Sequence, residues 1–193
     1  MVDRETGALF ARTRRDLEAW HPSRTSQDEL RLEYLEFLRA TGPAALQRDG
    51  GPEHVTASCF AVTVDLTKVL LAFHRKAPRW RQLGGHLELD DESCAAGAHR
   101  EAEEEGGVSG LRLAEALPAD LDRHRLVGRF GSCATHWDIG YLAFAEEPRT
   151  PQVSDESEAV AWWSLDDLRE HDPVLARRLD LVLEGVAGSR NSH

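Results

Sequence analysis

Between Gly84 and Val108 the chain carries a glycine pair, an acidic loop and a helix-forming run whose glutamates are spaced for one face. Gly84-Gly85 allows a tight backbone turn and a close approach to a ligand or ion. Asp90, Asp91 and Ser93 suit the start of a helix. Cys94-Ala95-Ala96-Gly97-Ala98 is compact enough for that helix to lie close on a sheet, and Gly106-Gly107 suits its end. Glu101, Glu104 and Glu105 stand at i, i+3 and i+4, so they share a face. Three like charges there disfavour the isolated helix, and a hard divalent cation reverses that cost. Magnesium takes oxygen ligands and completes its shell with water and phosphate oxygens. Such an ion neutralises a diphosphate and orients a water, while a carboxylate it does not fully occupy can accept the water's proton.

The stretch resembles the Nudix box, G-x5-E-x7-R-E-U-x-E-E-x-G-U with U aliphatic. Arg100-Glu101-Ala102-Glu103-Glu104-Glu105-Gly106-Gly107-Val108 matches the second half residue for residue. With Glu92 as the first acid, seven residues precede Arg100, but six rather than five follow Gly85. An alternative alignment uses Asp91 and moves the extra residue to the helix N-terminus. Leu83 stands where many members carry proline. The chain also looks like a group of actinobacterial-type Nudix proteins with a helical lead-in. The shared elements are His74-Arg75-Lys76 with Trp80, His136-Trp137-Asp138 and Ser154-Asp155-Glu156-Ser157.

What the resemblance implies is an α/β fold, the Nudix-type α/β/α sandwich with a central mixed β-sheet, here with an N-terminal helical extension. It implies Mg2+, or Mn2+ in its place, held by Glu101, Glu104, Glu105 and the Gly84 carbonyl. Arg100 would orient the neighbouring carboxylates. One of the glutamates, or Glu156 of a late loop, would activate water.

At 193 residues, one domain with terminal additions is expected. The 34 acidic against 23 basic residues give a formal charge of −11, which argues against a nucleic-acid or anionic-membrane surface. A small anionic substrate is still compatible with that charge, because a bound metal reverses the local field. Cys59, Cys94 and Cys133 are scattered and form no C-x-x-C pair, so reduced thiols are expected. Met1-Val2-Asp3-Arg4-Glu5 has no signal-peptide pattern and no apolar run reaches membrane-spanning length, so a soluble cytoplasmic protein is expected.

The hydrophobic pattern divides the chain into 1–52, a helical extension; 53–170, the Nudix domain; and 171–193, a C-terminal helix and tail. Residues 5–20 read as a helix, and Ser26 with Glu29 reads as a capping box opening a second. His54–Val64 and Lys68–Phe73 read as a hairpin across Asp65-Leu66-Thr67. Leu111–Leu117, Leu126–Cys133, Asp138–Ala145 and Ala159–Trp163 read as further strands. Ser164 caps a helix, and Pro173 begins the last one, to about Val186.

Beyond the box, the candidate substrate contacts are Arg75, Trp80, His86, His136 and Asp138. Arg75 lies in a basic turn and is suited to bidentate phosphate binding. Trp80 and Trp137 are either stacking surfaces or core aromatics, and core is the commoner use. His136 and Asp138 are two apart on a strand and share a face, which would set them over the metal cleft or in solvent. His86 follows the glycine turn and would reach phosphate or make a structural hydrogen bond. Trp162 and Trp163 should face opposite sides of their strand.

The leading functional reading is a Mg-dependent pyrophosphohydrolase cleaving a nucleoside diphosphate linked to another moiety. The alternatives are a non-catalytic nucleotide-binding Nudix module and, less favoured, an isopentenyl-diphosphate isomerase-like enzyme. The small-molecule substrate would be the chief partner, with no nucleic acid and no membrane. The N-terminal helices offer a surface for a homodimer.

Overall fold

The computed structural model describes residues 4–74, 78–126, 133–151 and 157–190. Its centre is β1 (Glu53–Thr63), buried at every position from His54 onward. A strand buried on both faces must be apolar or internally paired, and Val55–Thr63 meets that condition. Along one edge β1 runs parallel to β7 (Thr135–Ala145), from Glu53↔Thr135 to Thr63↔Ala145. Along the other edge its first half pairs with β4 (Leu83–His86) and its second half with β2 (Lys68–His74). The short β3 (Trp80–Arg81) and β8 (Ser157–Ser164) flank β2, while β5 (Arg112–Leu113) and β6 (Asp120–Arg125) share the outer edge of β7. The result is one eight-stranded mixed sheet.

Alternation along β1 sorts the two faces. Val55, Ala57, Cys59 and Ala61 pack with α1 (Arg4–Ala19), α2 (Thr25–Thr41) and α3 (Cys94–Gly106). Phe60 and Val62 pack with α4 (Leu165–His171) and α5 (Pro173–Arg190). Trp162 joins the first layer and Trp163 the second, as adjacent strand residues should. The expected helix–sheet–helix layering is present.

The N-terminal helices close on this chain's own sheet. Leu17, Tyr34 and Leu38 are completely buried in the α3-side core. The Tyr34 hydroxyl donates to the Asp138 carbonyl at 2.8 Å, and the Gln27 side chain bonds both backbone groups of Leu121. Trp137 stacks on Phe37 at 4.4 Å and donates its indole N–H to Glu53, so it is a core aromatic.

Several boundaries differ from the sequence reading. α2 begins at Thr25 with Arg24 at the cap position, which puts Ser26 inside the first turn, where it cannot cap. The segment Leu111–Leu117 keeps only a two-residue strand. A strand that the sequence reading does not mark runs over Asp120–Arg125, and most of the strand expected at Leu126–Cys133 lies outside the described residues. The polar alternation of Asp120-Leu121-Asp122-Arg123 hides that strand from a hydrophobicity count. The caps at Ser164 and Gly107 are as expected. Ser164 Oγ accepts from Asp167 N, and Gly107 takes the left-handed conformation at φ 56°.

Behind the sheet, on the α5 side, sits a buried polar knot. Arg178 of α5 donates to both oxygens of Asp120, at 2.7 and 3.1 Å, and to Asp138 at 3.1 Å. Ser58 and Thr56 complete the Asp138 carboxylate at 2.5 and 3.0 Å. Burial pushes the Asp138 carboxyl pKa up, against the lowering by Arg178 and Ser58. Gly140 makes the knot possible, because a Cβ there would stand 2.0 Å from Asp120 Oδ1.

Candidate active site at the glycine turn and the acidic helix

The helix α3 opens on Ser93, whose Oγ accepts from Ala96 N at 3.1 Å. Cys94, Ala95, Ala98 and Ala102 face the sheet, and their small size brings the helix close to β1 and β4. That closeness carries the acidic face to the glycine turn. Glu105 is 5% exposed; its Oε2 accepts from Gly84 N at 3.1 Å, and its Oε1 lies 3.2 Å from His74 Nε2. Glu101 lies against Gly85, so a Cβ on Gly85 would fall 2.5 Å from its Oε2. Gly84 is equally constrained, since a Cβ there would meet Ala57 O and Ser58 at 2.6 Å. Glycine is needed at both positions for close approach.

Arg100 holds the arrangement from beside it. Its Nε and Nη2 grip Asp91 at 3.1 and 3.0 Å, Nη1 reaches Glu101 at 3.0 Å and Glu104 at 3.3 Å, and Nη2 donates to His86 O at 3.3 Å. The paired Asp91 contact, followed by Glu101, raises the guanidinium pKa further above its ordinary range. Asp91 Oδ2 also accepts from Glu88 N at 2.8 Å and packs against Gly97, where a Cβ would come within 2.7 Å. The Asp91 side chain is only 6% exposed, whereas Glu92 is exposed. Asp91 is therefore the loop acid that Arg100 uses. The alignment through Asp91 restores five residues after Gly85, and the extra residue falls at the start of α3.

Glu101 and Glu105 thus rest against the Gly84-Gly85 turn, and Glu104, the most open at 63% side-chain exposure, is tied to them through Arg100. This donor set is all oxygen and anionic, in a cradle that a single Cβ would fill, which suits a hard divalent cation.

The NUDIX domain family profile matches residues 52–182, more than half of the chain. The chain belongs to the Nudix family. With the helical half of its box intact it is a Nudix hydrolase, an enzyme of phosphoric anhydride bonds. Its fold is similar to that of the E. coli dihydroneopterin triphosphate pyrophosphohydrolase, at TM-score 0.53 and 16% identity over 69% of this chain and 95% of that one. A NUDIX-family hydrolase from Clostridium perfringens matches at 0.51 and 26%, over 69% and 96%. A C. elegans Ap4A hydrolase matches at 0.51 and 17%, over 72% and 98%. No curated protein matches the sequence.

Of the remaining candidates, those among the described residues turn their side chains away from this site. Arg75 and Glu156 lie outside the described residues. Trp80 packs edge-on to Phe73 and Trp163, at 5.5 and 5.2 Å, in the α5-side layer. His136 and Asp138 do share a face, but it is the face turned away from α3. Trp137 between them points into the α1–α3 core, so strand alternation sends its neighbours to the other side. Asp138 is spent in the Arg178 knot rather than open to a cleft. His86 turns its carbonyl toward Arg100 on the α3 side. Its ring lies on the opposite face beside His54, Nε2 to Nε2 at 3.0 Å.

Two contributions escape a reading of the sequence alone. His74 against Glu105 looked like part of a basic turn. His54 and Cys133 gave no signal until the parallel pairing of β1 with β7 placed His54 opposite His136. Among the described residues no helix is long and apolar enough to cross a membrane.

Proposed function

We propose that this Nudix hydrolase is a Mg2+-dependent pyrophosphohydrolase that splits the diphosphate of a nucleoside diphosphate linked to another moiety, with Mn2+ able to substitute. The observation that carries the reading is the placement of Glu101 and Glu105 against the Gly84-Gly85 turn, with Glu104 tied beside them by Arg100. Glu101, Glu104 and Glu105, with the Gly84 carbonyl, would hold the ion. When bound, the ion supplies charge neutralisation for the diphosphate and a Lewis acid for its leaving oxygen.

The chain's own residues divide the remaining work. Glu105 is buried and fixed by Gly84 N and His74, so it anchors. Glu101 is held by Arg100 against Gly85. Glu104 is the most open to solvent of the three and is steadied by Arg100 Nη1 at 3.3 Å, so it takes the proton of the attacking water. Arg100 keeps two of the three carboxylates from swinging away and positions the loop through Asp91. The substrate class is consistent with the names of two fold neighbours, hydrolases of dihydroneopterin triphosphate and of Ap4A.

The test is a screen of nucleoside diphosphate derivatives with Mg2+, reading phosphate released by a coupled phosphatase. Glu104→Gln and Glu105→Gln should each lose most activity while keeping the parent's circular dichroism. Full turnover by the double variant would refute the assignment, and tight nucleotide binding without hydrolysis would favour a binding module.

A further inference from the structure

On the sheet face away from α3, three adjacent strands each direct a histidine to one point. His54 lies on β1, His86 on β4 and His136 on β7, with His54 and His136 in direct register. Cys133, a free thiol just before β7, joins them. One ligand atom from each of the four lies within 4.8 Å of the others. Their rings pack at 5.0 Å (His54 to His86 and to His136) and 5.4 Å (His86 to His136).

Such a cluster is costly without an occupant. His54 is fully buried, and two imidazole nitrogens facing each other at 3.0 Å can share only one proton. His136 Nε2 is buried and has no hydrogen-bond partner among the described residues. An orphaned buried nitrogen is unfavourable, because it has lost water without gaining a partner. A cation that accepts several lone pairs relieves every group at once.

The donor types choose the ion. Three imidazoles and one thiolate, with no carboxylate among them, are borderline-soft ligands that suit Zn2+ and not Mg2+. In tetrahedral zinc, with bonds of about 2.0–2.3 Å, neighbouring donors sit roughly 3.3–3.7 Å apart. The observed cluster brackets that spacing and needs only small side-chain adjustments. A fourth histidine, His124, packs 5.6 Å from His136, and its Nδ1 is engaged by Asp122 at 2.9 Å. His124 stands beside His136, and its partner Asp122 adds an anion to the surroundings.

We propose that His54, His86, Cys133 and His136 form a zinc site, separate from the catalytic carboxylates, that clamps β4 to β1 and β7. The consequence for the enzyme runs through one residue. His86 immediately follows Gly84-Gly85, and its carbonyl accepts from Arg100. An ion on the His86 ring therefore fixes the turn against which Glu101 and Glu105 rest.

The experiment uses the full chain, reduced and stripped of metal, titrated with Co2+ in a large excess of Mg2+ so that the box carboxylates are filled by the harder ion. The expected result is one equivalent bound, with the strong visible bands of tetrahedral cobalt and a thiolate-to-cobalt charge-transfer band, both erased by Zn2+. Zn2+ should also shield Cys133 from alkylation under native conditions, where Cys59 and Cys94 are buried. Cys133→Ser should remove the charge-transfer band, and His136→Asn should weaken Co2+ binding by at least about 10–100-fold, the loss seen when even an outer contact of a metal ligand is removed. Glu104→Gln should leave the spectrum unchanged. A weak octahedral spectrum from the parent would overturn the proposal whether or not the variants fold. Parent-level affinity in folded Cys133→Ser and His136→Asn would do the same.

Discussion

Replacing Asp91 by Asn tests which acid the Nudix box loop uses. Asp91 accepts two charge-assisted bonds from Arg100 and one from Glu88 N. Asparagine keeps the shape and one acceptor oxygen, but turns an NH2 toward a guanidinium N–H and removes the charge. A hydrogen bond to a charged group contributes about 1.5–3 kcal/mol. Arg100 retains 22% side-chain exposure, so water compensates in part. A net loss of about 2 kcal/mol follows, or roughly 4–8 °C in Tm for a domain of this size. Activity should fall further than stability, because Arg100 also holds Glu101 and Glu104. A misplaced catalytic group costs on the order of 100-fold. The control is Glu92→Gln, which changes an exposed side chain and should stay within about 0.5 kcal/mol of the parent. Urea unfolding and hydrolysis rates under saturating Mg2+ measure both. If Glu92→Gln matches or exceeds Asp91→Asn in either assay, the register through Asp91 is wrong.

Gly85→Ala places a Cβ 2.5 Å from the Glu101 carboxylate and should displace it. The expected outcome is a loss of most activity with an overpacking cost of about 1–3 kcal/mol, read by turnover and thermal unfolding. Parent-level turnover would show that Glu101 need not rest on the turn. Arg178→Met leaves Asp120 and Asp138 as uncompensated buried carboxylates and should cost about 3–5 kcal/mol in denaturant unfolding. A loss under about 1 kcal/mol would mean that these acids are solvated or protonated in the folded state.

The acidic helix was legible because its information is local. Glu101, Glu104 and Glu105 are brought together by the helical repeat itself, and Ser93 and Gly107 mark its ends within the same stretch. β1 was legible because both its faces are buried, which leaves a run of small, apolar and β-branched residues with no charged side chain after Glu53 other than the titratable His54. β6 was missed because one of its faces serves the Arg178 knot and the histidine cluster, so its sequence is charged.

By itself, then, the sequence determined an acidic helix behind a glycine turn, and with it an oxygen-ligand site and a family chemistry. The choice of Asp91 over Glu92 required the folded loop, since only packing against Gly97 shows which acid points inward. The faces of Trp80, His136 and Asp138 depended on which helices cover each side of the sheet. The meeting of His54 with His136 depended on a parallel pairing between strands about eighty residues apart in the chain. Contacts of that range leave no periodic trace in sequence, because each partner's local context is set by its own strand and only the sheet's register joins them.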